Sequence, residues 1–306
     1  MNASPLIDPF QGKPGVFHFS TDALKKKLLF KDRKDYVFGA NSIAIYAAAA
    51  GGKVIVLCYC LMSNHIHILV RGTLPDSIAF MQQVLYRLAL HMAKRDGKTR
   101  NLRVNDFYIV PVTSRIQMKK EIAYILRNPY KAKIASPISY EWNSADVMFN
   151  PNLAAMSGQP LKDLSFDKRR QLFATRNRLP DAYEHIDGRI LNKSFVKNEL
   201  AQKCFHDDMD FFNELKRFNN ESEVEGGHLG QEKTFFTDEE LHEKMMLTCR
   251  NEYYVSTPAA LDKKSLLNLA TALRVRFGAG KEQLERILGL EDVLLSTVFG
   301  GEPVID

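Results

Sequence analysis

The stretch that most constrains the fold runs from Val54 to Val70 and reads VIVLCYCLMSNHIHILV. Its first part, Lys53–Leu61, is a continuous run of β-favouring apolar residues, which predicts a buried central strand. Ser63-Asn64 supplies a tight turn. His65–Arg71 is then expected to return as a second, antiparallel strand, so that the whole stretch forms a hairpin within a sheet.

Two histidines flank an isoleucine at the start of the second predicted strand. Residues i and i+2 of a strand point to the same face, so His65 and His67 are expected to project together. Two neighbouring imidazoles can hold a divalent cation if a third ligand comes from elsewhere. The alternative is a pair of polar residues on the wet face of an edge strand, and the spacing alone does not decide between the two.

The periodicity on either side of this hairpin predicts an α+β fold. The expected elements are a strand at Gly15–Ser20, a helix from about Arg33 to Ala50, a helix from about Pro75 to Arg95, a strand at Asp106–Thr113 and a helix from about Arg115 to Arg127. The order β-α-β-β-α-β-α is close to a ferredoxin-like layout, in which an antiparallel sheet carries helices on one face. His18, in the first strand, is expected to be a structural or surface residue.

Charge is distributed unevenly along the chain. Residues 1–150 carry 21 Lys and Arg against 10 Asp and Glu, a net charge of +11. Residues 151–306 carry 21 against 26, a net charge of −5. A basic half favours a polyanionic partner, of which nucleic acid is the commonest, although an ordinary basic surface has the same composition.

The remaining composition argues against a membrane or secreted protein. No apolar run reaches the roughly 18–20 residues of a membrane span, and the first residues lack the basic start and apolar core of a signal peptide. The four cysteines follow neither zinc-ligand spacing nor a disulfide framework. We therefore expect no membrane partner and a cytoplasmic location, with association to the nucleoid when DNA is bound.

Two motifs taken together resemble a known family. The segments Cys60–Val70, CLMSNHIHILV, and Tyr124–Ala132, YILRNPYKA, resemble the single-tyrosine HUH transposases and in particular their REP-associated tyrosine transposase subgroup. Tyr140–Ser144, YEWNS, is similar to a segment that often follows in that subgroup. The likeness covers about residues 15–150, but Ser63 stands where the family usually has Pro, and the Arg-Gly-Asn triplet usual in the first strand is absent.

The resemblance implies a four-residue site and a divalent metal ion, Mg²⁺ or Mn²⁺. His65 and His67 would bind the ion, with the side-chain oxygen of Asn128 as the third ligand. Tyr124, four residues earlier, would attack a DNA phosphodiester and become joined to the 5′-phosphate. The alternatives are an aromatic residue packed on the sheet for Tyr124 and a residue that ends a helix for Asn128.

The resemblance also implies a partner, namely single-stranded DNA with hairpins at the ends of a mobile element, and a homodimer is one possible assembly. Single-strand grooves combine positive charge with aromatic side chains. The basic residues predicted to contact the DNA are Lys25, Lys26, Arg87, Lys94, Arg95, Arg115, Lys119 and Arg127. A solvated surface position is the alternative for most of them.

The second half, residues 151–306, follows the predicted catalytic domain of residues 1–150 and is expected to be an all-α extension. Pro151–Pro160 is typical of a linker, and Asn219–Lys233 of a mobile loop. Helices are expected at about 167–176, 194–217, 238–250 and 259–277. The sequence near 266–299 resembles a helix-turn-helix, but its acidic and apolar last helix also fits a packing or dimerisation module.

The sequence therefore predicts a metal-dependent transposase that cleaves and rejoins single-stranded DNA through a 5′-phosphotyrosine intermediate. One alternative is a DNA-binding regulator that keeps the fold but no longer cuts, and the intact His65, His67, Tyr124 and Asn128 argue against it. The other is an HUH nickase of replication or mobilisation, a class that usually places its tyrosine in different surroundings.

Overall fold

The computed structural model describes residues 8–21, 28–97, 102–132, 134–149, 152, 155–220, 236–290 and 292–299. Its first half has the order of elements expected from the sequence, β-α-β-β-α-β-α. These elements are β1 (Gly15–Ser20), α1 (Arg33–Ala49), β2 (Ile55–Met62), β3 (His65–Gly72), α2 (Leu74–Asp96), β4 (Tyr108–Val112) and α3 (Arg115–Leu126). A short helix, α4 (Asn128–Lys131), follows α3 directly.

The four strands form one antiparallel sheet with the order β2-β3-β1-β4. Strands β2 and β3 are the predicted hairpin, and Ser63-Asn64 is its turn. Because β3 lies between β2 and β1, the histidine pair is on a central strand of the sheet. The alternative that placed His65 and His67 on the wet face of an edge strand is therefore wrong, and both side chains are buried.

Local sequence explains where the three long helices begin and end. The side chains of Asp32, Thr73 and Ser114 each accept a hydrogen bond from a backbone N–H in the first turn of α1, α2 and α3, respectively. Gly97 ends α2 in the left-handed conformation, at φ 62°. These caps fix the helix boundaries within a residue or two of the sequence prediction.

Helix α1 packs closely against one face of the sheet. A Cβ added to Gly39 would lie 2.5 Å from the Phe30 ring and 3.1 Å from the Leu61 side chain, so glycine permits this close approach. Leu61 alternates along β2 with Cys60 and Met62, which point to the other face. Helices α1 and α2 pack together, and the opposite face of the sheet, which carries the histidine pair, faces α3.

The outer edge of β2 is covered by later parts of the chain. The Leu61 N–H donates to the Trp142 carbonyl, and the Ser144 N–H donates to the Tyr59 carbonyl. Farther along the same edge, the Lys197 N–H donates to the Val56 carbonyl. The Tyr140–Ser144 segment therefore satisfies the backbone of an otherwise open edge.

Two cysteines of β2 lie on the same face of the sheet as the histidine pair. Cys58 and Cys60 are the register partners of Leu69 and His67 on β3, and both are fully buried. Burial raises the pKa of the Cys58 thiol. Neither cysteine is in a disulfide, and both act here as small apolar side chains.

The extension after residue 150 is not all-α, which corrects the sequence prediction. Three short strands form a second sheet: β5 (Gln159–Pro160), β6 (Glu184–Ile186) and β7 (Arg189–Ile190). Their two or three residues are too few to produce a readable alternation in the sequence. The turn between β6 and β7 is tight, with Asp187 and Gly188 both at positive φ.

The remaining α-helices of the described chain begin at residue 146. They are α5 (Asp146–Phe149), α6 (Phe166–Phe173), α7 (Asn198–Gln202), α8 (Asp208–Asn220), α9 (Asp238–Glu252), α10 (Lys263–Phe277), α11 (Lys281–Leu288) and α12 (Asp292–Val298). The predicted loop Asn219–Lys233 lies outside the described residues, apart from its first two positions at the end of α8. No helix in the described part of the chain is long and apolar enough to cross a membrane.

The described residues contain two apolar cores. The first surrounds the four-stranded sheet and continues past residue 150 to Leu215. The second joins α9 to the last three helices through residues such as Leu241, Leu273, Leu284 and Leu295. Gly289 follows α11 in the left-handed conformation, and α12 buries Leu295 in the second core.

Candidate active site

The strand register brings three histidines onto one face of the sheet. His65 and His67 alternate with Ile66 along β3, as the sequence predicts. On the neighbouring strand β1, Ser20 is the register partner of His67, and His18 lies two residues earlier on the same face. The His18 and His67 rings are therefore diagonal neighbours, with centroids 5.2 Å apart.

Hydrogen bonds hold the two β3 imidazoles by the same ring atom. His65 Nδ1 lies 2.8 Å from the Asn64 side-chain oxygen, and His67 Nδ1 lies 3.0 Å from His18 Nε2. The two rings are 5.0 Å apart between centroids and nearly perpendicular. Both side chains are buried, so their orientation is set by the protein rather than by solvent.

Helix α3 places Tyr124 over this face. Its ring centroid is 5.5 Å from that of His67, at an interplanar angle of 89°, and 6.0 Å from that of His18. The Arg127 guanidinium also lies over the Tyr124 ring, at 5.1 Å from the centroid. Tyr124 is half-buried, so the tyrosine contacts the histidines while part of the side chain stays accessible.

Asn128 begins the short helix α4, one turn after Tyr124. Its side-chain Nδ2 donates to the carbonyl of Tyr124 at 3.0 Å and to that of Ile125 at 3.2 Å. Asn128 is buried, and these two hydrogen bonds connect the start of α4 to the last turn of α3. Because the nitrogen is engaged in this way, Oδ1 is the atom with which Asn128 could bind a cation.

The donor set fits a divalent metal ion in its chemistry. With Nδ1 of each ring held by a hydrogen bond, Nε2 is the atom that His65 and His67 would offer to a metal. Imidazole nitrogens and amide oxygens are both common ligands of divalent metal ions in proteins. Within the described ranges, no three His, Cys, Asp or Glu side chains are arranged to hold a metal ion, so a third ligand would have to be of another type, as Asn128 is.

Sequence reasoning missed two residues of this site. His18 is not a surface residue, since it is 1% exposed and hydrogen-bonded to both His67 and Glu121. Glu121 lies three residues before Tyr124, on the same face of α3. The sequence held only two signals for these residues. His18 is a histidine within a predicted strand, and Glu121 is three residues before Tyr124 on a predicted helix; both features are common in ordinary proteins.

The basic residues predicted to contact DNA are placed differently from one another. Lys25 and Lys26 lie outside the described residues, and Lys94 and Arg115 are exposed. Arg115 also donates to the Lys203 carbonyl. Lys119 is half-buried and forms an ion pair with Asp210 at 2.5 Å. For these residues, contact with DNA stays a prediction.

The remaining three arginines make extensive contacts within the chain. Arg87 donates to the Ser42 hydroxyl and to the carbonyls of Phe173 and Ala174, and burial lowers its pKa. Arg95 pairs with Asp35 and Asp96. Arg127 is 3% exposed and lies against Tyr124. The donors of Arg87 and Arg95 are thus used in holding the fold, and Arg127 alone of the three touches the site.

No protein-family model and no curated protein matches the sequence. Among solved structures, a REP-associated tyrosine transposase bound to a REP hairpin aligns with 50% of this chain and 88% of its own chain. The sequence identity is 12% and the TM-score is 0.39. At this level of similarity the alignment assigns no function, and the chemistry of the site follows from the residues of this chain alone.

Proposed function

We propose that the protein is a metal-dependent, single-tyrosine DNA transposase of the HUH type, which cuts and rejoins single-stranded DNA with Tyr124 as the nucleophile. The observation that carries the proposal is the contact between the Tyr124 ring and His67, at 5.5 Å between centroids. A helix-face tyrosine that served only packing would have no reason to meet a buried histidine pair. The strand order β2-β3-β1-β4 supports the ferredoxin-like layout proposed for the core.

The chemistry assigned to Tyr124 is a balanced exchange of phosphodiester bonds. Its phenolic oxygen gives up its proton to solvent and attacks the scissile phosphorus, forming a bond to the 5′-phosphate while the bond from phosphorus to the 3′-oxygen breaks. The leaving 3′-oxygen takes up a proton and becomes a free 3′-OH. A second 3′-OH reverses the step on the phosphotyrosine, so strands are exchanged without an external energy source.

His65 and His67 would hold the metal ion, with Asn128 as the proposed third ligand. When bound, Mg²⁺ or Mn²⁺ supplies polarisation of the phosphate and neutralises the charge that develops on it. The chain itself orients the tyrosine, whose ring contacts both His67 and Arg127.

The substrate proposed for this site is single-stranded DNA that carries a hairpin. Because Tyr124 is half-buried, part of its side chain stays accessible to a DNA strand. Exposed Lys94 and Arg115 are charges that could follow the backbone of such a strand. A homodimer is compatible with this proposal but is not required by it.

A covalent-adduct assay tests the proposal. The protein is mixed with single-stranded hairpins from its own genomic flanks and Mg²⁺ or Mn²⁺, and adducts are separated on a denaturing gel. Tyr124→Phe is expected to reduce adduct formation by roughly 10³-fold or more, because it removes the nucleophilic oxygen. Tyr130→Phe, at an exposed tyrosine on α4, is the matched control and should leave the adduct unchanged.

Two results would overturn the proposal. An adduct that persists in Tyr124→Phe would place the nucleophile elsewhere in the chain. Binding of the hairpins without an adduct in the wild-type protein would instead favour the DNA-binding regulator that does not cut.

A further inference from the structure

A row of hydrogen bonds connects the tyrosine helix to the histidine pair through His18. Glu121 Oε2 on α3 lies 2.7 Å from His18 Nδ1 on β1. His18 Nε2, on the other side of the same ring, lies 3.0 Å from His67 Nδ1 on β3. The His18 and His67 side chains are fully buried, and that of Glu121 is 15% exposed, so the row runs from the rim of the site to its centre.

With Glu121 ionised and His18 neutral, the chemistry of the three groups sets the direction of these bonds. An ionised carboxylate only accepts hydrogen bonds, so His18 Nδ1 carries the proton that it shares with Glu121. In a neutral imidazole the other nitrogen is then an acceptor, so His18 Nε2 accepts from His67. His67 therefore carries its proton on Nδ1, and its Nε2 keeps the lone pair that a metal ion needs.

Asn64 gives the same result for His65 by an independent route. The amide oxygen of Asn64 can only accept, so the proton of His65 is also on Nδ1. Two neighbouring rings are thus held in one tautomer by different partners, one from the preceding residue and one from another strand. A coincidence of packing would give no reason for both rings to present the same nitrogen.

We infer that Glu121 and His18 are positioning residues, which hold the proton of His67 on Nδ1 so that its Nε2 serves as a metal ligand. The inference rests on the proposed function, because it concerns the same metal site. It adds two residues to that site, and neither would touch the metal or the DNA. Many metal-bound imidazoles donate their second N–H directly to a carboxylate. Here His18 would accept that hydrogen bond from His67, and the carboxylate of Glu121 would in turn hold His18.

The same row explains how the tyrosine is brought into line with the histidines. Glu121 and Tyr124 are three residues apart on α3, so a bond from Glu121 to His18 fixes the height and rotation of the helix face that carries the tyrosine. The His18 ring also contacts Tyr124 directly, at 6.0 Å between centroids. Position of the nucleophile and tautomer of the ligand are therefore set by one set of contacts.

The first test reads the tautomer without any metal or DNA. In ¹⁵N-labelled full-length protein at mildly alkaline pH, two-dimensional spectra of the ring nitrogens distinguish a protonated Nδ1 from a protonated Nε2. We expect His67 to be protonated on Nδ1 in the wild type. His18→Phe, which keeps the ring but removes both hydrogen bonds, is expected to move that proton towards Nε2, the tautomer that free histidine prefers.

The second test measures binding of Mn²⁺ alone, from the signal of the free ion in electron paramagnetic resonance. Loss of such a supporting contact typically weakens metal binding by about 10–100-fold, and we expect this range for His18→Phe and Glu121→Ala. His18→Gln should recover part of the affinity, because its amide oxygen can accept from His67 Nδ1. Glu141→Ala removes a carboxylate that pairs with Arg33 and Arg189, away from the histidines, and should have no effect.

The outcomes separate this inference from the proposed function. Unchanged Mn²⁺ affinity in His18→Phe and Glu121→Ala, or a wild-type His67 protonated on Nε2, overturns the inference even when the wild type forms its Tyr124 adduct. Because the wild-type tautomer needs no substitution, the inference stays testable if His18→Phe does not fold. A wild-type protein that binds no Mn²⁺ overturns the inference and the metal part of the proposed function together. A wild-type protein that binds Mn²⁺ but forms no adduct contradicts only the proposed function.

Discussion

At the scale of single residues, the site depends on contacts between parts of the chain that are far apart in sequence. His67 pairs with Cys60 of β2, and its ring contacts those of His18 on β1 and Tyr124 on α3. The pairing of His65 with His67 was predictable, because it follows from the two-residue period of a strand. The roles of His18 and Glu121 were not predictable, because they depend on the register of β1 against β3 and on the position of α3 on the sheet.

Asn128 offers a prediction at this scale that does not depend on catalysis. Asn128→Asp replaces the Nδ2 donor by a carboxylate oxygen that faces the carbonyls of Tyr124 and Ile125. One buried and one partly buried acceptor would then lose their donor, and we expect a loss of about 1–3 kcal/mol in the free energy of unfolding. Urea denaturation followed by circular dichroism measures it.

A stability equal to that of the wild type would show that these two hydrogen bonds contribute little. Asn143 is a useful comparison, since its side chain also donates to a backbone carbonyl, that of Pro137, but does so away from α3. Asn143→Asp should be destabilising as well, whereas only Asn128→Asp should alter formation of the Tyr124 adduct.

At the scale of elements, α1 and α2 are tied together by one buried carboxylate. Asp35 on α1 accepts from His91 at 2.7 Å and pairs with Arg95, both on α2. Burial by itself would raise the pKa of Asp35, but hydrogen bonds from His91 and the Lys31 N–H, together with the charge of Arg95, outweigh it and hold the pKa below its usual range. The two helices that cover the far face of the sheet are thus joined by ionised groups.

The lowered pKa of Asp35 gives this contact a defined pH dependence. A carboxyl whose pKa is lower in the folded state stabilises the fold above its unfolded pKa of about 3.9, and the contribution is lost as the pH falls below that value. Asp35→Asn should therefore cost about 2 kcal/mol at neutral pH, with the difference from wild type shrinking below about pH 4. Urea unfolding at several pH values tests it, and a difference that does not change with pH would contradict it.

Helices with strong local signals were predictable, and those broken by a cap were not. A single helix was predicted from about residue 194 to 217, but the structure has α7 and α8 with a break between them. The break follows from Asp207, whose side chain accepts from the Asp210 N–H and so starts a new helix. Periodicity alone does not register such a restart, because buried apolar residues such as Phe205 and Phe211 occur on both sides of it.

At the scale of the whole molecule, the first core is larger than the predicted catalytic domain. The boundary at residue 150 stays a prediction, but the core around the sheet also contains Phe195, Val196, Phe205 and Phe211. The chain returns to the edge of β2 through the bond from Lys197 to Val56. This return could not be read from the sequence, because residues that complete a distant sheet edge carry no local signal of it.

We expect a chain that ends at residue 220 to unfold cooperatively and one that ends at residue 150 to be unstable. Each large apolar side chain in the core stabilises the fold by about 2 kcal/mol. Losing several of them approaches the roughly 5–15 kcal/mol that keeps a domain folded. Thermal unfolding of the two truncated chains tests the expectation, and a cooperative transition in the shorter chain would support the boundary at residue 150 instead.

The buried thiols of β2 give the molecule a chemical reporter of its own opening. Cys58 and Cys60 lie beneath the face that α3 covers, and a thiol reagent reaches neither of them while the helix is in place. Their rate of alkylation in native conditions therefore measures how often the sheet and the tyrosine helix separate. A slowing of that rate by a hairpin oligonucleotide would mean that the substrate closes the structure that it enters.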